Sequence, residues 1–231
     1  MRPLRDLGIL CLCLLLYGCT ETGRPTTSAP PVSFATDDGL TLRGHLFGTG
    51  DSWVILSHMF PDDQTAWFPF AGELAGRGYH VLTFDFRGYG ESDGQKQIDL
   101  IGHDLAAAVG YIRHQHPRRL TLMGASMGGT VSVIIASQGQ VDGVITLSAP
   151  VIFRGLDATG ISLQMPALFI SSQLDDDNQV SAQALYDSAG PDRALDIVPG
   201  PAHGIGLLTS AQAPQVRDDI FKFLDRYAPL R

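Results

Sequence analysis

The spacing of apolar residues along this chain changes from segment to segment, and each change marks an element. "VSFATDDGLTLRGHLFG", residues 32–48, alternates apolar and polar positions on both sides of Asp-Asp-Gly, which predicts two strands joined by a tight turn. After it, near-continuous apolar runs of strand length take turns with stretches whose apolar positions recur every three to four residues. The runs are "WVILSHM" (53–59), "HVLTFDF" (80–86), "LTLMGA" (120–125), "VDGVITLSA" (141–149), "PALFISS" (166–172) and "ALDIVPG" (194–200). The helical stretches are "TAWFPFAGELAGRG" (65–78), "IDLIGHDLAAAVGYIRHQHP" (98–117), "TVSVIIASQG" (130–139), "VSAQALYDSAG" (180–190) and "APQVRDDIFKFLDRYA" (213–228). Strands that are apolar on both faces and alternate with helices predict an α/β fold. Its sheet is mostly parallel, with about eight strands, helices on both faces and an antiparallel N-terminal hairpin at one edge. Sites in such sheets form beyond the carboxyl ends of the strands.

The first residues read differently. "MRPLRDLGILCLCLLLYGC" has two arginines, an apolar run from Leu7 to Tyr17, then Gly18 and Cys19. The run is shorter than the roughly 20 residues that span a bilayer and fits a secretory signal. "LYGC" resembles the lipobox of bacterial lipoproteins, which implies cleavage before Cys19 and acylation of that cysteine. The expectation is a signal peptide over 1–18, a lipidated Cys19 with a Thr/Pro-rich tether over 19–31, and one domain over 32–231. Membrane contact would then be through the lipid, with the domain in the cell envelope, outside the cytoplasm.

Cys11 and Cys13 would leave with the signal, so no intramolecular disulfide is expected. The full chain carries a formal charge of −8. A surface of that sign with no basic stripe excludes nucleic acid as a partner.

The candidate chemistry starts at "GASMGG", residues 124–129, where a strand becomes a helix. A serine on so sharp a turn is strained and exposed above the sheet, and the residues two before and two after it must be small. Gly124 and Gly128 meet that need around Ser126. A serine hydroxyl needs a base. Of seven histidines, His45, His80, His103, His114 and His116 lie in the hairpin or in strand and helix patterns and read as surface or packing residues. His203 sits in the Gly/Pro-rich loop "VPGPAHGIG" after the last strand, at the carboxyl end of the sheet. A carboxylate should fix its tautomer, and "SSQLDDDNQV" offers Asp175, Asp176 and Asp177.

The order Ser126, acid, His203 along an alternating chain resembles the α/β-hydrolase superfamily. "FDFRGYGES", residues 84–92, is similar to that family's D-x-R-G-x-G-x-S stretch, with Asp85 and Arg87 as loop scaffolding. The resemblance covers residues 32–228. It implies an acid at the offset of "SQLD", which favours Asp175, while the related spacing D-x-x-V points to Asp177 before Val180. "LSHMFPDDQTAW" resembles the family's oxyanion loop, His-Gly-x. By position Phe60 and Met127 would supply the two oxyanion N–H groups, and His58 would be structural. Met59 stands where the family usually has glycine, which leaves the path of this loop open.

Only "VIFRGLDATGISLQM", residues 151–165, separates "VITLSAP" from "PALFIS". That is enough for one short helix and a loop, with no cap domain, as in dienelactone-hydrolase-type and small carboxylesterase relatives. The resemblance thus implies a serine hydrolase acting on small acyl esters, with no metal and no organic cofactor. Acyl transfer or thioester cleavage by the same residues, or a catalytically silent envelope binding protein, are the alternatives.

Overall fold

The computed structural model describes residues 29–231. The signal segment, Cys19 and all but the end of the tether lie outside the described residues. Ten strands, five α-helices and three short 3-10 helices are present among the described residues. Strands β1 (Pro31–Ala35) and β2 (Thr41–Phe47) form the expected hairpin, Pro31 opposite His45 and Ala35 opposite Thr41. Strand β1 therefore begins at Pro31, one residue inside the segment assigned to the tether.

There follow β3 (Ser52–Ser57), α1 (Phe68–Gly76), β4 (His80–Phe84), α2 (Ile101–Arg113), β5 (Arg119–Ala125), α3 (Met127–Ala136) and β6 (Gly143–Leu147). Then come β7 (Ile152–Phe153), β8 (Leu156–Asp157), β9 (Ala167–Ser172), α4 (Asn178–Ser188), β10 (Arg193–Val198) and α5 (Ala213–Tyr227). Eight strands make one sheet in the order β1-β2-β4-β3-β5-β6-β9-β10. From β4 to β10 all pairings are parallel, and β2 joins β4 antiparallel.

The sheet is apolar on both faces because successive side chains point opposite ways. Ile55, Leu82, Leu122 and Phe169 pack with α2, α3 and α4, whereas Val54, Leu56, Met123 and Ile170 pack with α1 and α5. Both core layers are closed, so the strands are held level and their carboxyl ends share one edge. Helix α3 has apolar residues all round and is buried along nearly its whole length, which fits its place between strand layer and neighbouring helix.

The segment between β6 and β9 departs from the expected short helix. It is a two-stranded ribbon, β7 against β8, with Ile152 opposite Asp157 and Phe153 opposite Leu156. Its two-residue turn, Arg154-Gly155, has positive φ at both positions, the backbone that closes antiparallel ribbons. No helix of the described residues is long and apolar enough to cross a membrane.

Candidate active site

Ser126 lies between β5 and α3 with φ 47° and ψ −118°, a left-handed region that residues with a Cβ rarely occupy. The strain is held from both sides. Its N–H donates to the Leu147 carbonyl at 2.8 Å, and its carbonyl accepts from Gly129 and Thr130 at 2.8 and 3.0 Å. The small neighbours are a matter of space. A Cβ on Gly124 would sit 2.1 Å from the Gly128 carbonyl oxygen, and one on Gly128 would sit 2.2 Å from the Ser57 carbonyl oxygen. Neither contact is sterically possible, so this turn admits only glycine at 124 and 128.

His203 follows β10. Two backbone bonds, Gln173 N–H to Val198 O at 2.8 Å and Leu174 N–H to Gly200 O at 2.9 Å, zip its loop to the one after β9. The Ser172 hydroxyl donates to the Ala202 carbonyl at 2.6 Å and fixes the residue just before the imidazole. Of the three consecutive aspartates, Asp175 is 5% exposed while Asp176 and Asp177 face solvent. His203 Nδ1 lies 2.8 Å from Asp175 Oδ1 and 3.1 Å from Oδ2. Asp176 takes φ 40° and turns the chain away into α4.

Asn178, at the start of α4, is a participant that the sequence did not single out. Its Nδ2 donates to Asp175 Oδ1 at 3.1 Å and sits 3.4 Å from His203 Nδ1. Its only signal was its position, one residue past the acidic run at a helix start. Burial pushes the Asp175 pKa up, but His203, the nearby Ser148 hydroxyl and Asn178 outweigh it and hold the carboxyl below its ordinary value. Asp175 is therefore an anion at neutral pH, able to accept from an Nδ1–H imidazole.

Met127 directly follows Ser126, and Phe60 lies in the loop after β3, the strand paired with β5. Met127 is the first residue of α3, where a helix N–H has no intrahelical acceptor. Neither the Met127 nor the Phe60 amide meets an acceptor among the described residues. The loop carrying Phe60 is set by His58, which is fully buried. Its Nε2 accepts from the Phe86 N–H at 3.1 Å, so its Nδ1 carries the proton and donates to the Met59 carbonyl at 3.0 Å. Burial pushes the His58 pKa down and keeps the ring neutral.

Met59 finds room because of its neighbour. Its Sδ would lie 2.8 Å from a Cβ on Gly204, and Ala125 Cβ would be 3.6 Å away. The thioether thus fills the place left by the missing side chain next to His203, and the same contact sets the His203 loop against the end of β5.

Asp85 accepts from the Gln64 N–H and side chain at 2.9 and 2.8 Å and from Glu91 N–H at 3.1 Å. Arg87, 1% exposed, is gripped by Asp104 on α2 and by Asp38 in the β1–β2 turn. Both residues hold loops and stay away from His203.

The Hydrolase_4 family model, described as serine aminopeptidase S33, matches residues 50–170. The uncharacterized protein YfhR of Escherichia coli O157:H7 is 31% identical over 127 residues, 51% of this chain and 45% of YfhR. The chain spans about half the length of the curated relatives it matches. Among solved structures, the Pyrococcus furiosus esterase Pf2001 superposes with a TM-score of 0.75 at 20% identity, covering 87% of this chain and 91% of that one. The α/β hydrolase GrgF from Penicillium sp. gives 0.71 at 20% identity, over 86% and 98%.

Proposed function

The chain belongs to the Hydrolase_4 family, serine aminopeptidase S33, within the α/β-hydrolase superfamily, and from that membership we propose that it is a serine hydrolase cleaving short ester-type acyl bonds. The observation that carries the proposal is the 2.8 Å contact of His203 Nδ1 with the buried Asp175, at the sheet edge where Ser126 is held in a strained turn.

In this reading Ser126 Oγ attacks the carbonyl carbon and its proton passes to His203 Nε2. Asp175 fixes the tautomer and stabilises the imidazolium. The oxyanion accepts from the Phe60 and Met127 amides. The bond to the leaving oxygen then breaks and His203 protonates the departing alcohol. Water, deprotonated by His203, attacks the acyl-enzyme, releases the acid and restores Ser126. The segment between β6 and β9 holds only the ribbon β7–β8, two residues per strand, which supports small, soluble esters rather than interfacial ones. Labelling by a fluorophosphonate probe, mapped to Ser126 and lost in Ser126→Ala, is the test. A folded wild type that is neither labelled nor active on acetate or butyrate esters sinks the reading.

We also propose that Cys19 is acylated and holds the domain at a bacterial envelope membrane, on the strength of "LYGC" ahead of a Thr/Pro-rich segment. A palmitate analogue fed to expressing cells should mark the full-length chain and miss Cys19→Ser. Equal labelling of both ends the anchor.

A further inference from the structure

Resting on the serine-esterase reading, the ribbon between β6 and β9 carries a feature that the reaction itself does not use. Its turn residues Arg154 and Gly155 have φ of 44° and 97°. That backbone suits Asn-Gly, and a residue with a long side chain is disfavoured there. Outliers of this kind gather at functional sites when the surroundings hold them in place.

Here the surroundings do. Gly155 packs so close to Asp99 that a Cβ would come within 2.9 Å of the Asp99 Cβ. Leu156 is buried, Ala158 N–H donates to the Val151 carbonyl at 2.8 Å, and Thr159 N–H donates to Asp157 Oδ1 at 2.8 Å.

From this fixed turn the Arg154 guanidinium lies over the Phe60 ring, its carbon 4.1 Å from the centroid, with the Phe153 centroid at 5.5 Å. The two rings are 6.2 Å apart. A guanidinium laid on an aromatic face keeps its N–H edge free for a planar anion. Arg154 is exposed and forms no ion pair among the described residues, even with Asp99 beside its turn.

We infer that Arg154, backed by Phe60, is a carboxylate subsite beside the reacting centre, so the preferred substrate is an ester that carries a carboxylate a few bonds from the scissile carbonyl. Phe60 links the two functions: its ring supports the cation, and in the proposed reaction its amide would serve the oxyanion. The carboxylate can enter on the acyl side or on the alcohol side, and the choice of esters separates these.

The experiment compares kcat/KM for monoethyl succinate (acyl side), O-butyrylglycolate (alcohol side) and uncharged ethyl butyrate. One anionic ester should exceed ethyl butyrate by about tenfold or more, mainly through KM, as a charge-assisted bond supplies. The advantage should shrink with added salt. In Arg154→Asn and Arg154→Gln the anionic-to-neutral ratio should fall to about one, and Arg154→Lys should keep part of it. Asparagine fits the left-handed turn, so a Tm at or above wild type for Arg154→Asn separates lost recognition from a damaged ribbon. Equal kcat/KM for all three esters in the wild type, or a ratio unchanged in Arg154→Asn and Arg154→Gln, overturns the subsite and leaves the esterase reading standing. No turnover of any ester, together with no fluorophosphonate labelling, overturns both.

Discussion

Asp175 touches His203 while Asp176 and Asp177 face solvent, and single amide substitutions separate the three. Asp175→Asn should lower kcat on a short ester by up to about 10⁴-fold, because the amide no longer orients the imidazole or stabilises its cation. Asp176→Asn and Asp177→Asn should stay within about threefold of wild type, as exposed changes away from the imidazole usually do. A crippled Asp177→Asn beside a normal Asp175→Asn, both folded by circular dichroism, would reverse the assignment. The residues alone narrowed the acid to three neighbours, and only the family offset favoured Asp175 with Asp177 left open, because consecutive side chains differ only in direction. That direction depends on φ 40° at Asp176 and on the bonds zipping two loops together, which no local pattern encodes. Asn178 was invisible for the same reason: its role comes from where α4 begins relative to a residue 25 positions later.

Among the elements, strands and helices were legible almost to their ends, since buried parallel strands and amphipathic helices imprint their periods on composition. The ribbon β7–β8 was not, because strands of two residues are too short to show any period. The element contact that matters most for the site's frame is between α2 and the loop after β4. Asp104 is fully buried, and it meets Arg87 at 2.6 and 2.9 Å through the guanidinium and at 2.8 Å through the Arg87 N–H. Burial pushes the Asp104 pKa up against the pull of Arg87, so the pair persists by geometry more than by favourable solvation. Asp104→Ala removes the buried partner, leaving Arg87 only the more exposed Asp38, and should cost about 3–5 kcal/mol in urea unfolding. Asp38→Ala removes the more exposed partner and should cost clearly less. Equal losses would mean that the turn between β1 and β2, and not the buried pair, holds this loop.

The stability of the molecule should bend with acidity through His58. Burial depresses its folded-state pKa below its ordinary 6.5, so the unfolded chain binds the extra proton first. Its contribution is fully present above pH 6.5 and is lost as the pH falls toward the folded value. Unfolding free energy should therefore decline between pH 7 and 5, and His58→Gln, though less stable at pH 7, should decline less steeply. Parallel slopes would show that His58 stays buried and neutral at no cost to acid resistance.

The direction of β1 has a consequence for how the protein is approached from its amino-terminal end. β1 opposes β2, and β2 opposes β4, so β1 runs the same way as the parallel strands. Pro30 accepts from the Leu46 N–H at 3.1 Å, and Phe47 pairs with Val81 near the start of β4. The polypeptide thus arrives from the amino-terminal side of the sheet, while Ser126, Asp175 and His203 stand at the opposite rim. A support or fusion partner joined directly ahead of residue 29 would therefore meet the rim opposite Ser126, Asp175 and His203.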